Sequence, residues 1–383
     1  MNNFTFQNPT KLVFGKGQIA KLAKLIPADK KIMMTYGGGS IFKNGIYDQV
    51  KEALKNHNVS EFGGIEPNPE YETLMRCVTE CKEKGIDFLL AVGGGSVIDG
   101  TKFIATAIKW AGDPWEFIAE EKPVYKAVPL ATVLTIPATG SEMNNGAVIS
   151  RREYKEKLAF FNPACYPLFS ILDPEAIYTL PKRQIANGII DTYVHTVEQY
   201  LTFDNKALIQ DYWAEGILKT LIEIAPKLME NQHDYDTCAN FMYAATMGLN
   251  GFIAMGVAQD WATHMIGQEL TALHGLDHGV TLAIIYPGVA SVMREDKREK
   301  LLQYAEHVFN ITDGTDDEKI DKAITATENF YRSLGVMTRL SDYNIGEETI
   351  TEIVRRFTAY GTQLGERENI TPAKVEEILH KVK

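Results

Sequence analysis

The alternation of apolar and polar positions divides the chain into two halves of different character. Up to about Leu180, short apolar runs alternate with helix-period stretches. Residues 10–14, Lys31–Tyr36, 87–92 and 131–136 read as strands. The second runs into Gly37-Gly38-Gly39-Ser40 and an amphipathic stretch to about His57. The third runs into Gly93-Gly94-Gly95-Ser96 and a helix through Trp110, and the fourth into Pro137-Ala138-Thr139-Gly140-Ser141-Glu142. Nearly continuous apolar strands with intervening helices predict a mostly parallel sheet covered on both faces. Beyond Pro181 only the helical period persists, over about 183–202, 206–229, 235–252, 258–272, 279–294, 317–334, 348–363 and 372–382, with Pro181 and Pro226 at helix boundaries. The pattern predicts a Rossmann-like α/β domain over 1–181 and an all-helical domain over 182–383.

Composition narrows the function. At 383 residues the chain exceeds one ordinary hydrophobic core, in keeping with two domains. The net charge is −11 and no basic stripe occurs, which argues against a nucleic-acid partner. No secretory leader and no bilayer-length apolar run is visible, so the expectation is a cytoplasmic protein with no membrane partner. Cys77, Cys81, Cys165 and Cys238 are too scattered for a disulfide framework and are expected as reduced thiols.

A glycine run between a buried strand and a helix lets a ligand approach backbone, and the helix that follows offers free amides and a positive dipole end to a pyrophosphate. The segment 92–97 meets these conditions, although it matches neither G-x-G-x-x-G nor a Walker A motif. One such loop is equally a tight structural turn; two, with the Thr/Gly/Ser-rich turn at 139–142, favour a nucleotide. An acidic residue commonly meets the ribose 2′-OH of NAD. Around 37–40 there is none, the nearest polar groups being Ser40, Lys43 and Asn44, which favours NADP(H).

Five of the eight histidines fall between 195 and 278. His57, His233, His307 and His380 lie in polar contexts and are expected at the solvated surface. Asp191 and His195, i and i+4 on an apolar helix, would share one face as two ligands of one ion require, or would simply hydrogen-bond within a core. His264 falls on a further helix and His278 at a loop-to-helix junction. His274 is i, i+4 to His278, so spacing leaves open which of the two binds. One carboxylate with imidazoles and no thiolate suits Fe²⁺ or Zn²⁺.

The stretch 171–181 (ILDPEAIYTLP), the run from Asn187-Gly188 through Asp191 and His195 to Glu198, and 261–279 with its spaced histidines resemble the iron-containing alcohol dehydrogenases. The N-terminal FQNPTKLVFGKG, YGGGSI, GGGSVID and PATGSEMN segments resemble their NADPH-dependent butanol dehydrogenase, or aldehyde reductase, branch. The likeness spans essentially the whole chain. It implies a dehydroquinate synthase-like architecture and a homodimer. It implies Asp191, His195, His264 and His278 as metal ligands, leaving His274 as a candidate proton relay. It implies Gly94, Gly95, Ser96 and Asp99 at the pyrophosphate and nicotinamide, Thr135, Thr139, Ser141 and Lys157 along the cofactor cleft, and Gly38, Ser40 and Asn68 near the 2′-phosphate. The activity implied is hydride transfer between NADP(H) and a short- or medium-chain alcohol or aldehyde. Phe252, Trp261 and Phe160 are candidate walls for an alkyl chain or core residues. Two positions depart from the family pattern: Gln268 stands where many members have a further histidine, and Phe42 where relatives often have a second basic residue before Lys43.

The rival readings are an NAD-dependent polyol (glycerol-type) dehydrogenase, a dehydroquinate synthase-type lyase, a metallohydrolase without nucleotide, and a silent nucleotide or metal binder. The lyase would need basic groups for its anionic substrate, and few lie near the candidate ligands.

Overall fold

The computed structural model describes residues 1–383. Its strands are β1 (Lys11–Phe14), β2 (Lys31–Tyr36), β3 (Asn58–Phe62), β4 (Phe88–Gly93), β5 (Leu130–Leu134), β6 (Gly146–Arg151), β7 (Glu156–Phe161) and β8 (Phe169–Leu172). The helices of the first half are α1 (Leu22–Leu25), α2 (Ile46–Ala53), α3 (Tyr71–Lys84), α4 (Gly95–Ala107) and α5 (Trp115–Ala119). Those of the second half are α6 (Lys182–Tyr200), α7 (Leu208–Glu230), α8 (Tyr235–Gly248), α9 (Ala262–His274), α10 (His278–Val292), α11 (Arg298–Phe309), α12 (Asp316–Ser333), α13 (Glu347–Tyr360) and α14 (Pro372–Lys381).

Contacts group these elements into two compact units, and the grouping is not a single cut of the chain. One unit is Gln7–Pro181 with Gln232–Thr246; the other is Met1–Phe6 with Lys182–Asn231 and Met247–Lys383. Most of α8 therefore belongs with the sheet. Gln232, just before it, donates to the carbonyls of Tyr178 (2.6 Å) and Leu180 (3.0 Å), and Tyr243 packs edge-on against Phe14 of β1.

The sheet unit is built on six parallel strands in the order β1-β8-β5-β4-β2-β3, with β6 and β7 as a separate antiparallel hairpin. β4 (FLLAVG) is buried at every position, as a central parallel strand must be. Adjacent β2 and β4 lead in opposite directions: β2 continues through α2 to β3 on one side, β4 through α4 to β5 on the other. That reversal is the topological switch point of an open α/β sheet, where ligands bind beyond the strand carboxyl ends. Both glycine loops sit there.

The helical unit packs around α6, whose residues from Gly188 to Tyr200 are all buried. A core of leucine, isoleucine and valine joins α9, α10, α13 and α14. Pro226, expected at a helix boundary, lies inside α7. It sits one turn from the C-terminus, where the amide it lacks leaves the Ile222 carbonyl without its helical donor. α11, absent from the periodic assignment, carries buried Leu301, Tyr304, Ala305 and Val308 on one face. No helix is long and apolar enough to cross a membrane. All four cysteines are buried free thiols.

Candidate functional site

Asp191 and His195 lie one turn apart on α6 with their side chains 5 % exposed. His264 is on the first turn of α9, after Trp261 adopts a left-handed conformation (φ 64°) that turns the chain into the helix. His278 is the first residue of α10. The preceding Asp277 is held by Arg183 and Asn187 of α6, each at 2.8 Å, and Gly279 sits so close to Asn187 that a Cβ would meet its backbone at 2.7 Å. The start of α10 is thereby pinned to α6.

These elements converge on one atom. Asp191 Oδ1 lies 3.5 Å from His195 Nε2 and 3.6 Å from both His264 Nε2 and His278 Nε2. Such distances are too long for hydrogen bonds. They match the edges of a tetrahedral shell, roughly 3.3–3.6 Å for ligand bonds of about 2.0–2.2 Å. Asp191 Oδ1 and His264 Nε2 are buried without a hydrogen-bond partner, an arrangement that is costly unless a cation takes their lone pairs. The rings of His195 and His264 stack at 4.5 Å, and those of His264 and His278 stand at 60° with centroids 5.1 Å apart. Asp191, His195 and His264 form a buried group able to hold a metal ion, and His278, its side chain 25 % exposed, closes the set on the more open side. The donor set therefore fits a divalent ion.

The electrostatics agree. Burial alone would raise the Asp191 carboxyl, but the facing imidazoles, His195 foremost, hold it well below the usual carboxylate range. Burial acts to lower the His264 imidazole; Glu198 and Asp191 outweigh it and raise the group to about 9. Glu198 accepts a hydrogen bond from His264 Nδ1, a role that the sequence motif alone does not assign. Its spacing, i+7 from Asp191 and i+3 from His195, places all three on one helical face and was the available signal.

His274 does not belong to the buried group of three; its Nε2 meets Thr349 Oγ1 of α13 at 2.9 Å. Gln268 is half-buried one turn after His264. Trp261 borders the imidazoles, its ring 5.4 Å from that of His264, whereas Phe252 stacks on Trp213 (4.1 Å) and Phe160 packs on Phe117 (5.2 Å) in the sheet unit's core. His57 and His307 are not simply solvated: they are half-buried, His57 Nε2 at 3.0 Å from the Ile26 carbonyl and His307 Nδ1 at 2.9 Å from Glu215. Their neighbours in space come from residues distant in sequence.

At the switch point the sheet unit assembles most of the expected cofactor residues. Gly94 caps α4 with no side chain, and Asn68, in the left-handed region, donates its backbone amide to Ser96 Oγ at 3.2 Å. The Thr135 amide donates to the Gly93 carbonyl at 3.0 Å. Packing alone already demands the glycines: a Cβ on Gly93 would meet Val97 at 2.5 Å, one on Gly94 would meet Ile136 at 2.9 Å, and one on Gly95 would meet Thr139 at 2.5 Å. Gly38 is different, with nothing within 4 Å of its missing Cβ, and Ser40 follows it at the start of a short helical turn. Asp99 is occupied internally: Oδ1 accepts from Ser141 Oγ (2.6 Å) and Oδ2 from the Val148 amide (2.9 Å). Fully buried Lys102 donates to Ser141 Oγ, Asn144 Oδ1 and the Gly146 carbonyl at 2.8–2.9 Å. Burial raises the Asp99 carboxyl above its ordinary value, opposed by Lys102, by the Ser141 and Val148 hydrogen bonds and, most weakly, by Lys157 of β7.

A parallel sheet with two glycine turns at its switch point, in one chain with a helical unit that gathers a carboxylate and three imidazoles, defines a metal-binding α/β-plus-helical oxidoreductase. The chain belongs to the iron-containing alcohol dehydrogenase family, whose model matches residues 9–174 and whose C-terminal model matches 185–383. It is 55 % identical over 375 residues to the NADPH-dependent aldehyde reductase YqhD of Escherichia coli (97 % of each chain). It is 41 % identical to a probable NADH-dependent butanol dehydrogenase of Bacillus subtilis (99 % of each). A crystal structure of E. coli YqhD superposes with a TM-score of 0.98 at 53 % identity, covering 100 % of this chain and 99 % of that one.

Proposed function

We propose that the protein transfers a hydride between NADP(H) and a short- or medium-chain alcohol or aldehyde, acting chiefly as an aldehyde reductase. The observation that carries this reading is the convergence of three Nε2 atoms on Asp191 Oδ1 at 3.5–3.6 Å. Fe²⁺ or Zn²⁺ held by Asp191, His195, His264 and His278 would supply a Lewis acid for the substrate oxygen, and NADP(H) would supply or accept the hydride. The chain's own groups prepare that chemistry. Asp191 is held ionised and would compensate the ion's charge. Trp261 and the buried face of α6 exclude water from one side, while partly exposed His278 marks the side open to substrate.

Cofactor binding belongs in this reading to 1–181, through Gly38, Ser40, Asn68, Gly94, Gly95, Ser96, Asp99, Thr135, Thr139, Ser141 and Lys157, and metal binding to 182–383. Because Ser141 and Asp99 are hydrogen-bonded to each other, they shape the loop while its backbone meets the cofactor. The preference for NADPH over NADH follows the relative at 55 % identity rather than the one at 41 %, whose names state different cofactors. It is also supported by the absence of an acidic residue at 37–40. A cytoplasmic homodimer completes the proposal.

The test is metal analysis and NADPH oxidation on a panel of aldehydes for wild type, His264→Ala and His278→Ala. Metal and rate should fall together in both variants. Unchanged metal content and rate in either would sink the ligand assignment, and wild-type protein that turns over no aldehyde after reloading would sink the activity.

A further inference from the structure

A neutral imidazole that ligates through Nε2 must carry its proton on Nδ1, so something must accept that proton and stop the ring from turning over. For His264 the acceptor comes from another helix. Glu198 of α6, its side chain 2 % exposed, takes His264 Nδ1 on Oε2. Its Oε1 accepts the backbone amides of Thr263 (2.6 Å) and His264 (3.3 Å). The N-cap residue of α9, Trp261, supplies no side-chain cap, so Glu198 caps that helix from across the unit. The loop before it is braced as well. The Asp260 amide donates to the Glu198 carbonyl (2.8 Å), Asp260 Oδ1 accepts from the Ala262 amide (3.0 Å), and buried Lys297 holds Asp260 Oδ2 (3.0 Å) together with Glu366. One carboxylate thus fixes both the main chain and the ring of a single histidine.

We propose that Glu198 is a positioning residue that locks His264 in the Nδ1–H tautomer and aims Nε2 at the Asp191 centre; the inference rests on Asp191, His195, His264 and His278 being metal ligands. A carboxylate suits this task because it only accepts. Glutamine has one acceptor oxygen, so Glu198→Gln sets an amide N–H against either the helix amides or His264 Nδ1. In the second case it favours the tautomer whose Nε2 is protonated and cannot ligate.

The experiment is zinc affinity of metal-stripped wild type and Glu198→Gln, by competition with a chromophoric chelator at a temperature where both are folded. Nitrogen NMR of histidine-labelled, zinc-loaded wild type accompanies it, with the His264 resonance assigned by His264→Gln. The variant should bind zinc about 10–100-fold more weakly, and His264 Nδ1 should carry a proton in the loaded wild type. A purely structural cap would lower the melting temperature and leave the affinity unchanged. Equal affinities in folded proteins, or an unprotonated Nδ1, overturn the inference; should the variant not fold, the wild-type spectrum decides alone. Wild type that takes up no stoichiometric zinc, or His264→Ala that retains it, would overturn the ligand assignment instead.

Discussion

Gly95 offers a direct measure of how tightly the turn at the switch point is built. A Cβ added there meets Thr139 Cγ2 at 2.5 Å and Oγ1 at 2.6 Å. Ordinary carbon contacts are at about 3.5–4.0 Å, so Gly95→Ala must push Thr139 by roughly 1 Å. Overpacking of that kind costs about 1–3 kcal/mol. The strain does not stop at Thr139, whose Oγ1 accepts the Ser141 amide at 3.2 Å while Ser141 Oγ is tied to Asp99 and Lys102. Thr139→Ala alone removes that acceptor and costs about 1 kcal/mol. In the double variant the two atoms in closest conflict are gone, leaving Thr139 Cβ at 3.1 Å, a contact small shifts can absorb. Urea unfolding of the four proteins at fixed metal should therefore show the double variant about 1 kcal/mol or more stabler than the sum of the single effects. NADPH affinity should fall in Gly95→Ala. Additivity to within about 0.5 kcal/mol would refute the steric reasoning.

Lys102 is fully buried, and burial lowers it from 10.5 to about 8. Below pH 8 it is charged in both states and the folded chain bears the desolvation cost; between pH 8 and 10.5 the folded chain sheds the proton first, so stability should rise with pH by about 3 kcal/mol in total. The stability difference between wild type and Lys102→Met should track that window, and a flat difference counts against the burial. Asp191→Asn should abolish zinc-induced stabilisation, which in wild type reaches about 2.7 kcal/mol at a hundred times Kd; a thermal shift retained in the variant would show that zinc binds elsewhere. His274→Ala tests the proton-relay proposal. If the imidazole serves only Thr349, the variant loses about 1 kcal/mol of stability with an unchanged pH–rate profile. A relay demands that the profile move.

The sequence exposed what is local. β4 and its glycine turn, and the Asp191–His195 pair, are legible because each lies within one element. β8 (Phe169–Leu172) is a four-residue buried run whose meaning comes from pairing with β1 and β5, both far away in the chain. β3 is an edge strand of half-exposed residues, and the β6–β7 hairpin turns through charged Arg152 to Lys155, so neither shows a clean period. α11 was readable, since Leu301, Tyr304, Ala305 and Val308 keep the helical spacing. The ligand pair on α6 was visible, but its convergence with His264 and His278 depends on the Trp261 turn and on the Asp277 clamp, which no spacing rule reports. Glu198 escaped because its partners, the His264 ring and two backbone amides, lie on another helix.

The threading of the two compact units sets an order for biosynthesis. Leaving a ribosome, the chain presents 7–181 directly after its first six residues, yet that unit also includes Gln232–Thr246 and is incomplete until those residues emerge. The intervening Lys182–Asn231 must wait for Met247–Lys383, as must the first six residues. Two of the four proposed ligands, Asp191 and His195, are therefore made long before His264 and His278. A fragment ending at 181 would lack most of α8 and its cover over Phe14, and ending it at 246 would supply both.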